Sequence, residues 1–323
     1  MPVLFEIFII ACGAIMKGLF IPGVTELGAS SDSFPSGIVI PGANVMTLPP
    51  GEWVDLSDID LTSSALDYRV SFSCASNHAY YSADGTIQFA APDVWPLEYR
   101  NGVAVGRHEP ERQSTNYMNS VHPENMTSAV AGSTLNRSAV ISMLGLPTIS
   151  AKLITPSASM SVYSLFGIAG GQPGPGKPGV VSVWISVDEA EPFTVYTNNE
   201  TQFIPRQIEP GLQKIILRDA LKIDYVMMGL RNVQASYTAR MCGFQCEAGA
   251  IVTSPILANG TPTTRSAAFV TVKNPGGVAT AMRISYSSGE SDEISFNGAD
   301  ESQIPFSSTD WGKRYIQRIE YIR

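Results

Sequence analysis

Residues 180–187 read Val-Val-Ser-Val-Trp-Ile-Ser-Val, a run dominated by β-branched and aromatic side chains. Odd positions differ from even positions along the run, which predicts a β-strand with one buried face. Strand-like runs recur at roughly ten-residue spacing with turn signals between them, and many short strands at that spacing are typical of a sandwich or barrel. Helical periodicity is weak along the whole chain. The sequence therefore predicts an all-β protein.

The composition agrees with this fold class and excludes one kind of partner. The 323 residues include 28 Gly and 22 Pro, which leave little room for long helices. Charged residues make up 15% of the chain, against about 25% in an average soluble protein. The net charge is -8 and no basic run occurs. Such a chain has no electrostatic means of holding a phosphate backbone, so no nucleic-acid partner is expected.

The most apolar stretch covers residues 7–16. A helix that spans a bilayer needs about 20 such residues, so no membrane span is expected. A secretory signal begins with a basic cluster, whereas the charged residue that precedes this stretch is Glu6. This difference argues against a secretory signal. The stretch is expected to be a buried or partner-docked strand or helix. The alternative is that the authentic start is Met16.

The cysteines are expected to be free thiols. Four of them, Cys12, Cys74, Cys242 and Cys246, are too few for a disulfide scaffold. A strand predicted at residues 239–246 would separate Cys242 from Cys246 by about 13 Å, more than a disulfide tolerates. No His-x-x-x-His motif or second cysteine pair completes a zinc site. We expect no metal, no cofactor, and assembly in a reducing cytoplasm.

Residues suited to catalysis form no recognised motif, and no catalytic residue is assigned. The histidines are His78, His108 and His122, all in turn-like or polar contexts. A glycosidase needs two carboxylates about 5–10 Å apart. The acidic clusters that could supply them are Glu98, Glu109 and Glu111, and Asp188, Glu189 and Glu191. Acidic residues in β-connections are usually solvated, so the protein is expected not to be an enzyme.

Aromatic residues offer a more favourable binding chemistry, because their rings stack on sugars while nearby Asn and Gln bind hydroxyl groups. The predicted glycan-binding residues are Trp95, Tyr99, Tyr117, Trp184 and Tyr196. Packing in the core or at a subunit interface is the alternative role for each of them.

Three segments carry a resemblance to a known family. Residues 97–117 resemble the G-x-L-x-E-x-x-R-T-N-L lead-in of many bacteriophage tail proteins, in which it precedes a lectin-like jelly roll similar to carbohydrate-binding modules. Residues 243–265, which begin Gly-Phe-Gln-Cys-Glu-Ala-Gly, resemble the strand and exit that close that domain. Residues 310–321 resemble the ending of such proteins.

The resemblance implies a jelly-roll β-sandwich at residues 106–265. An N-terminal virion-attachment region at 1–105 would precede it, and a small C-terminal β domain at 266–323 would follow it. The implied function is that of a non-enzymatic tail fibre or tail appendage protein, located in the virion tail. The implied partners are two further copies of the chain in a homotrimer, other tail proteins and a host surface glycan.

Two other functions are kept as alternatives. One is a virion-associated polysaccharide depolymerase with a paired-carboxylate site, and the other is a secreted carbohydrate-binding adhesin.

Two local expectations concern the resembling segments. Phe244 and Cys246 alternate with Gln245 and Glu247, which predicts a strand with one packed and one polar face. Arg265, at the end of the domain, is expected to pair with a carboxylate of the lead-in and so to close the domain.

Overall fold

The computed structural model describes residues 7–11, 14–18, 54–118, 127–128, 134–138, 142–154, 166–167, 179–197, 204–219, 226–230, 237–258 and 261–323. The chain divides into two compact units, Met1–Trp53 and Val54–Arg323. Each unit is described by itself.

The regular elements of the described residues are β-strands and one 3-10 turn at Pro275–Gly277, so the chain is all-β as predicted. The strands are β1 (Ile7–Ala11), β2 (Ala14–Gly18), β3 (Ile59–Asp60), β4 (Val70–Cys74), β5 (His78–Tyr81), β6 (Ile87–Ala90), β7 (Glu98–Arg100), β8 (Val103–His108), β9 (Ser114–Asn116), β10 (Thr127–Ser128), β11 (Thr134–Ser138), β12 (Thr148–Ile154), β13 (Phe166–Gly167), β14 (Gly179–Val187), β15 (Glu191–Thr197), β16 (Ile204–Ile208), β17 (Gly211–Asp219), β18 (Val226–Leu230), β19 (Tyr237–Ala248), β20 (Thr263–Arg265), β21 (Ala268–Lys273), β22 (Ala281–Tyr286), β23 (Ser291–Ser295), β24 (Glu301–Gln303) and β25 (Tyr315–Ile322).

In the first unit, β1 and β2 form an antiparallel hairpin, with Ile10 opposite Ile15 and Ala11 opposite Ala14. The apolar stretch at residues 7–16 therefore forms strands, one of the two forms expected for it. No helix among the described residues is long and apolar enough to cross a bilayer.

In the second unit, a β-sandwich is formed by two sheets, with strand orders β24-β21-β4 and β23-β22-β25-β8-β7; β3 also pairs with β25. Inward-facing side chains of both sheets, such as Val270, Ile284 and Ile319, belong to one fully buried hydrophobic cluster. Each such side chain contributes about 1.5–3 kcal/mol through burial. This cluster is the main core of the sandwich.

Both ends of the second unit contribute strands to this sandwich. β4 pairs with β21, with Val70 opposite Val272, and β8 pairs with β25, with His108 opposite Tyr315. The expected N-terminal region and the expected C-terminal domain thus share hydrogen-bonded sheets and one core. Sequence spacing does not reveal this sharing, because the paired strands lie far apart in the chain.

The middle of the chain forms a five-stranded sheet with the order β11-β12-β19-β14-β17. The prediction of one buried face at residues 180–187 is wrong, because every residue of β14 except Ser186 is buried. β14 lies between β17 and β19, and Trp184 on one of its faces packs into a second hydrophobic cluster with Leu146, Cys242 and Trp311. Both faces of the strand are therefore covered.

The remaining described strands form small sheets: β10-β13, β16-β15-β18, β5-β6 and β9-β20. The hairpin β5-β6 contributes Ala79 and Ile87 to the second hydrophobic cluster. The jelly-roll connectivity stays a prediction.

Candidate functional site

The two segments that resemble phage tail proteins lie side by side. β9 pairs antiparallel with β20, with Asn116 opposite Thr263 and Ser114 opposite Arg265. The pairing brings the beginning and the end of the expected jelly roll together in one place, called here the β9–β20 joint.

A buried ion pair closes the β9–β20 joint. Arg265 Nη2 lies 3.4 Å from Glu111 Oε2. The backbone N–H and the hydroxyl of Ser254 each donate a hydrogen bond of 2.6 Å to the same carboxylate. The expectation that Arg265 pairs with a carboxylate of the lead-in is confirmed.

The ionised state of Glu111 is favoured by these neighbours. Burial alone would raise the pKa of Glu111, but Arg265, His108 and the two hydrogen bonds from Ser254 hold that pKa below its ordinary value. Glu111 is therefore a charged group whose counter-ion is Arg265.

A second buried carboxylate, Glu247, lies at the same joint. It accepts hydrogen bonds from the Ser114 hydroxyl at 2.6 Å, from Gln245 Nε2 at 2.7 Å and from the Thr253 backbone N–H at 3.0 Å. Burial raises the pKa of Glu247 in spite of these bonds. Glu111 and Glu247 thus have pKa values displaced in opposite directions.

β19 has the expected apolar and polar faces at residues 244–247, and the polar face is buried as well. Gln245 and Glu247 are as buried as Phe244 and Cys246, which alternate with them. The polar side chains are accommodated because each finds hydrogen-bond partners, as buried polar groups require. Local alternation could not distinguish a polar face in water from a polar face against another segment.

Asn116 connects β9 to β19 by side-chain hydrogen bonds at the centre of the joint. Its Nδ2 donates to the carbonyl oxygens of Phe244 and Ile256, at 3.0 and 2.8 Å. Its Oδ1 accepts from the backbone N–H groups of Met118 and Cys246. The side chain is fully buried, and these bonds use both of its amide N–H donors and both acceptor positions on its oxygen.

A groove opens beside the joint. Its lining residues are 111–114, 248–251, Thr253, Ser307 and Thr309. Glu111 contributes to the lining, and Glu247 is hydrogen-bonded to two lining residues, Ser114 and Thr253. Two carboxylates with oppositely displaced pKa values beside a groove are an arrangement that general acid–base chemistry can use.

The other carboxylates of the first predicted acidic cluster are buried and bonded. Glu98 Oε1 lies 2.7 Å from His108 Nδ1, and Glu98 Oε2 accepts from the Tyr81 backbone N–H. Glu109 accepts two hydrogen bonds from Arg314, of 3.0 and 2.8 Å. These contacts attach the lead-in to neighbouring strands.

The second predicted acidic cluster is different. Asp188 is exposed and lies 3.2 Å from Arg240 Nη1. Glu189 is exposed, and the side chain of Glu191 lies outside the described residues. The structure does not bring this cluster to the β9–β20 joint.

Two of the three histidines form a buried pair. The ring centroids of His78 and His108 are 5.2 Å apart, and both side chains are almost fully buried. Burial, together with repulsion from His108, lowers the pKa of His78 to about 4. His122 lies outside the described residues. Within the described residues, no three His, Cys, Asp or Glu side chains form a cluster that could hold a metal ion.

The predicted glycan-binding aromatics fall in separate places. Trp95 is 4% exposed and stacks on Phe72 in the sandwich core, and Trp184 is 5% exposed in the second hydrophobic cluster. Neither ring presents an open face. Tyr99 and Tyr117 are half-buried.

Tyr196 is the fifth of the predicted glycan-binding aromatics. It lies in β15, and its side chain is outside the described residues. The glycan-binding role of the five aromatics stays a prediction.

A set of residues that sequence reasoning missed surrounds Trp184 and is called here the cation–aromatic stack. The Arg100 guanidinium lies 4.7 Å from the centre of the Tyr81 ring, which stacks on Trp311 at 4.5 Å. Trp311 meets Trp184 edge-on at 6.4 Å. Lys214 Nζ lies 4.1 Å from the centre of the Trp184 ring and 5.5 Å from that of Trp311.

The one feature that could have indicated this stack is the register of the β14–β17 strand pair. Lys214 stands directly opposite Trp184 in the β14–β17 pair. Cross-strand neighbours of this kind interact, but the sequence does not state which strands pair.

Comparisons with known proteins do not identify a family for this chain. No family model matches the chain, and no curated protein matches it. Among solved structures, an exo-β-agarase aligns over 42% of this chain and 25% of its own, at 12% identity and a TM-score of 0.29. The chain thus spans about a quarter of the agarase's length.

A second solved structure aligns over most of the chain. It is the tripod (BppUct-A-L) from the baseplate of bacteriophage Tuc2009. The alignment covers 80% of this chain and 93% of that one, at 14% identity and a TM-score of 0.24.

Proposed function

We propose that this protein is a non-enzymatic structural component of a bacteriophage tail fibre or tail appendage. One observation carries the proposal: the two segments whose sequences resemble tail proteins meet in the β9–β20 joint and are closed there by Arg265 and Glu111. In the family that they resemble, these segments delimit a domain and supply no catalytic group. In this chain, too, their residues form structural hydrogen bonds and an ion pair.

The proposed location is the virion tail, after assembly in the host cytoplasm. Antibodies against this chain, applied to intact particles and viewed by electron microscopy, test the location. Label at the tail is the expected result. Label on the capsid, or unlabelled particles from lysates that contain the chain, would reject the proposal.

The proposed assembly is a homotrimer that also contacts other tail proteins. A chain poor in charged residues suits extensive contact between subunits, because charged residues are depleted at the centres of interfaces. Native mass spectrometry of the purified chain at micromolar concentration is expected to give three copies. A strictly monomeric species would contradict the trimer.

We further propose that the appendage contacts a host surface glycan through shallow aromatic and polar sites. Tyr99 and Tyr117 are half-buried and so keep part of their rings accessible. Trp95 and Trp184 are buried, so their role in this proposal is to pack beneath the glycan-binding surface rather than to contact the glycan.

One observation favours a polysaccharide depolymerase as a second candidate. Glu111 and Glu247 lie beside the groove with pKa values displaced in opposite directions, as a general acid and base need. Incubation with host polysaccharide, followed by an assay for new reducing ends, separates the two candidates. Turnover that is lost in Glu247→Gln and kept in Glu189→Gln, an exposed acid of the other cluster, would establish the enzyme. Absence of turnover by the wild-type protein would reject it.

A further inference from the structure

An aromatic pair with an exposed ring lies next to the groove at the β9–β20 joint. Phe269 and its neighbour Val270 lie on opposite faces of β21, and Val270 is fully buried in the core whereas Phe269 is 39% exposed. The ring centres of Phe269 and Phe306 are 5.4 Å apart. Phe306 directly precedes Ser307, which lines the groove. Phe306 therefore connects the outer face of β21 with the groove.

Arg112 lies at the boundary between this aromatic pair and the groove. It lines the groove, and its guanidinium lies 5.2 Å from the centre of the Phe306 ring. Its backbone carbonyl oxygen accepts a hydrogen bond of 3.1 Å from Arg265 Nη2, so the buried arginine of the joint holds the backbone at this position. Arg112 is exposed, and its guanidinium makes no hydrogen bond or ion pair with another described residue. Its N–H donors are available to a ligand.

The hydroxyl groups that line the groove present oxygen lone pairs. The Ser114 hydroxyl donates to Glu247, at 2.6 Å, and the Ser307 hydroxyl donates to Glu109, at 3.0 Å. Two further hydroxyl groups of the lining donate to the same two carboxylates, those of Thr253 and Thr309. Each hydroxyl group has one hydrogen, so its oxygen is left as an acceptor. A ligand that matches this lining carries several donors.

The charges beside the groove favour a neutral ligand. Glu111, which lines the groove, has Arg265 as its counter-ion at 3.4 Å, and Glu109 has Arg314 at 2.8 Å. These two carboxylates are already balanced and do not require a cationic ligand. A row of oxygen lone pairs repels an anion, and Arg112 is a single cation at the edge of the row. A neutral molecule with many hydroxyl groups meets both conditions.

We propose that the groove and the adjoining pair of Phe269 and Phe306 bind a neutral saccharide. One sugar ring stacks on the exposed ring of Phe269, and Arg112 donates hydrogen bonds to oxygen atoms of the sugar. Hydroxyl groups of a neighbouring sugar donate to the hydroxyl oxygens of the groove. The inference rests on the proposed contact with a host glycan, to which it adds the class of sugar and a site distinct from Tyr99 and Tyr117.

Saturation-transfer difference NMR on the full chain tests the proposal with four tetrasaccharides. Three are neutral and differ in linkage, namely maltotetraose, cellotetraose and laminaritetraose, and the fourth is the anionic tetragalacturonate. At least one neutral probe is expected to bind, and its binding should change little as NaCl is raised, because no ion pair is formed. Absence of binding by all three neutral probes, or tighter binding of tetragalacturonate than of any of them, would overturn the proposal.

Variants assign the binding to this site. Phe269→Ala and Arg112→Gln are each expected to weaken the binding of the neutral probe about fivefold, the range for loss of one aromatic contact or one hydrogen-bonding side chain. Ala250→Trp introduces a large side chain at an exposed position of the groove lining and should abolish binding.

Tyr68→Ala is the matched control for Phe269→Ala. Tyr68 is also an exposed aromatic residue, at 68%, but it lies before β4 and does not line the groove. This variant should bind as the wild type does. All four substituted residues are exposed, and equal melting temperatures would verify that the variants are folded. Wild-type affinity in both Phe269→Ala and Ala250→Trp would contradict the site.

The result is separable from the proposed function. A chain that is trimeric and labels the tail but binds no neutral saccharide would refute this inference alone. A chain that binds a neutral saccharide through Phe269 and Arg112 but is absent from the particle would refute the tail assignment and leave the site intact.

Discussion

Arg265 Nη2 lies 3.4 Å from Glu111 Oε2, and their side chains are only 2% and 5% exposed. The pair connects the segment between β8 and β9, by which the chain leaves the sandwich, with β20, by which it returns. Removal of one partner would leave the other charge buried without a counter-ion, which costs far more than loss of a solvated pair.

Arg265→Ala is expected to destabilise the protein by about 3–5 kcal/mol, the range for a broken buried ion pair. Urea denaturation and the melting temperature measure the loss. The matched control is Arg283→Ala, whose partner Glu293 is 3.6 Å away in a pair that is about half exposed, and it should cost less than about 1 kcal/mol. Equal stability of the two variants would contradict a structural role for the β9–β20 joint.

The lowered pKa of His78 predicts that the protein loses stability in mild acid. Its pKa is about 4 in the folded protein and 6.5 in an unfolded chain, so the unfolded chain takes up the proton first as the pH falls. The contribution of neutral His78 to the unfolding free energy is fully present above pH 6.5 and is lost between pH 6.5 and pH 4. The loss amounts to about 3 kcal/mol.

The variant His78→Phe isolates this contribution from those of the carboxylates. Its unfolding free energy, measured by urea denaturation at several pH values, should fall less steeply than that of the wild type across the same window. Parallel curves would show that His78 does not carry the effect.

Gly243→Ala is expected to cost at least about 2 kcal/mol, because it combines left-handed backbone strain with overpacking. Gly243 has a φ of +62°, and an added Cβ would meet Trp184 Cε3 at 2.5 Å. Gly249→Ala is the control, since Gly249 has a φ of +102° but no atom within 4 Å of the added Cβ. If the two variants are equally stable, Trp184 is not packed against Gly243.

Cys242 and Cys246 are expected to resist alkylation in the folded protein. Burial raises the pKa of both thiols to about 12, so the reactive thiolate is scarce at neutral pH. Mass-spectrometric peptide mapping after iodoacetamide treatment should show both residues unmodified without denaturant and modified in urea. Rapid modification of either residue in the native protein would contradict its burial.

Local sequence patterns predicted individual strands well. The run at residues 239–246 corresponds to β19 at Tyr237–Ala248, and Arg265 pairs with the lead-in as expected. Cys74, Cys242 and Cys246 are free and buried, as the spacing and composition indicated. These features depend on alternation, residue type and a few charges, all of which are present in the sequence itself.

Features that depend on which strands meet were not predictable. The burial of both faces of β14 and the polar interior around Glu247 result from segments that are distant in the chain. Lys214 and Trp311 come together for the same reason. Alternation identifies a strand but not what covers its two sides.

The adjacency of β9 and β20 means that the sandwich holds the intervening segment as a closed loop whose two ends are already fixed. The free energy of closing such a loop depends only logarithmically on its length, by about 0.6 kcal/mol for each doubling. Recombination that lengthens, shortens or exchanges this segment would therefore disturb the sandwich little, provided that contacts such as that between Trp184 and Trp311 are kept. The two ends of the intervening segment meet at the β9–β20 joint, and its side chains share the second hydrophobic cluster with residues outside it.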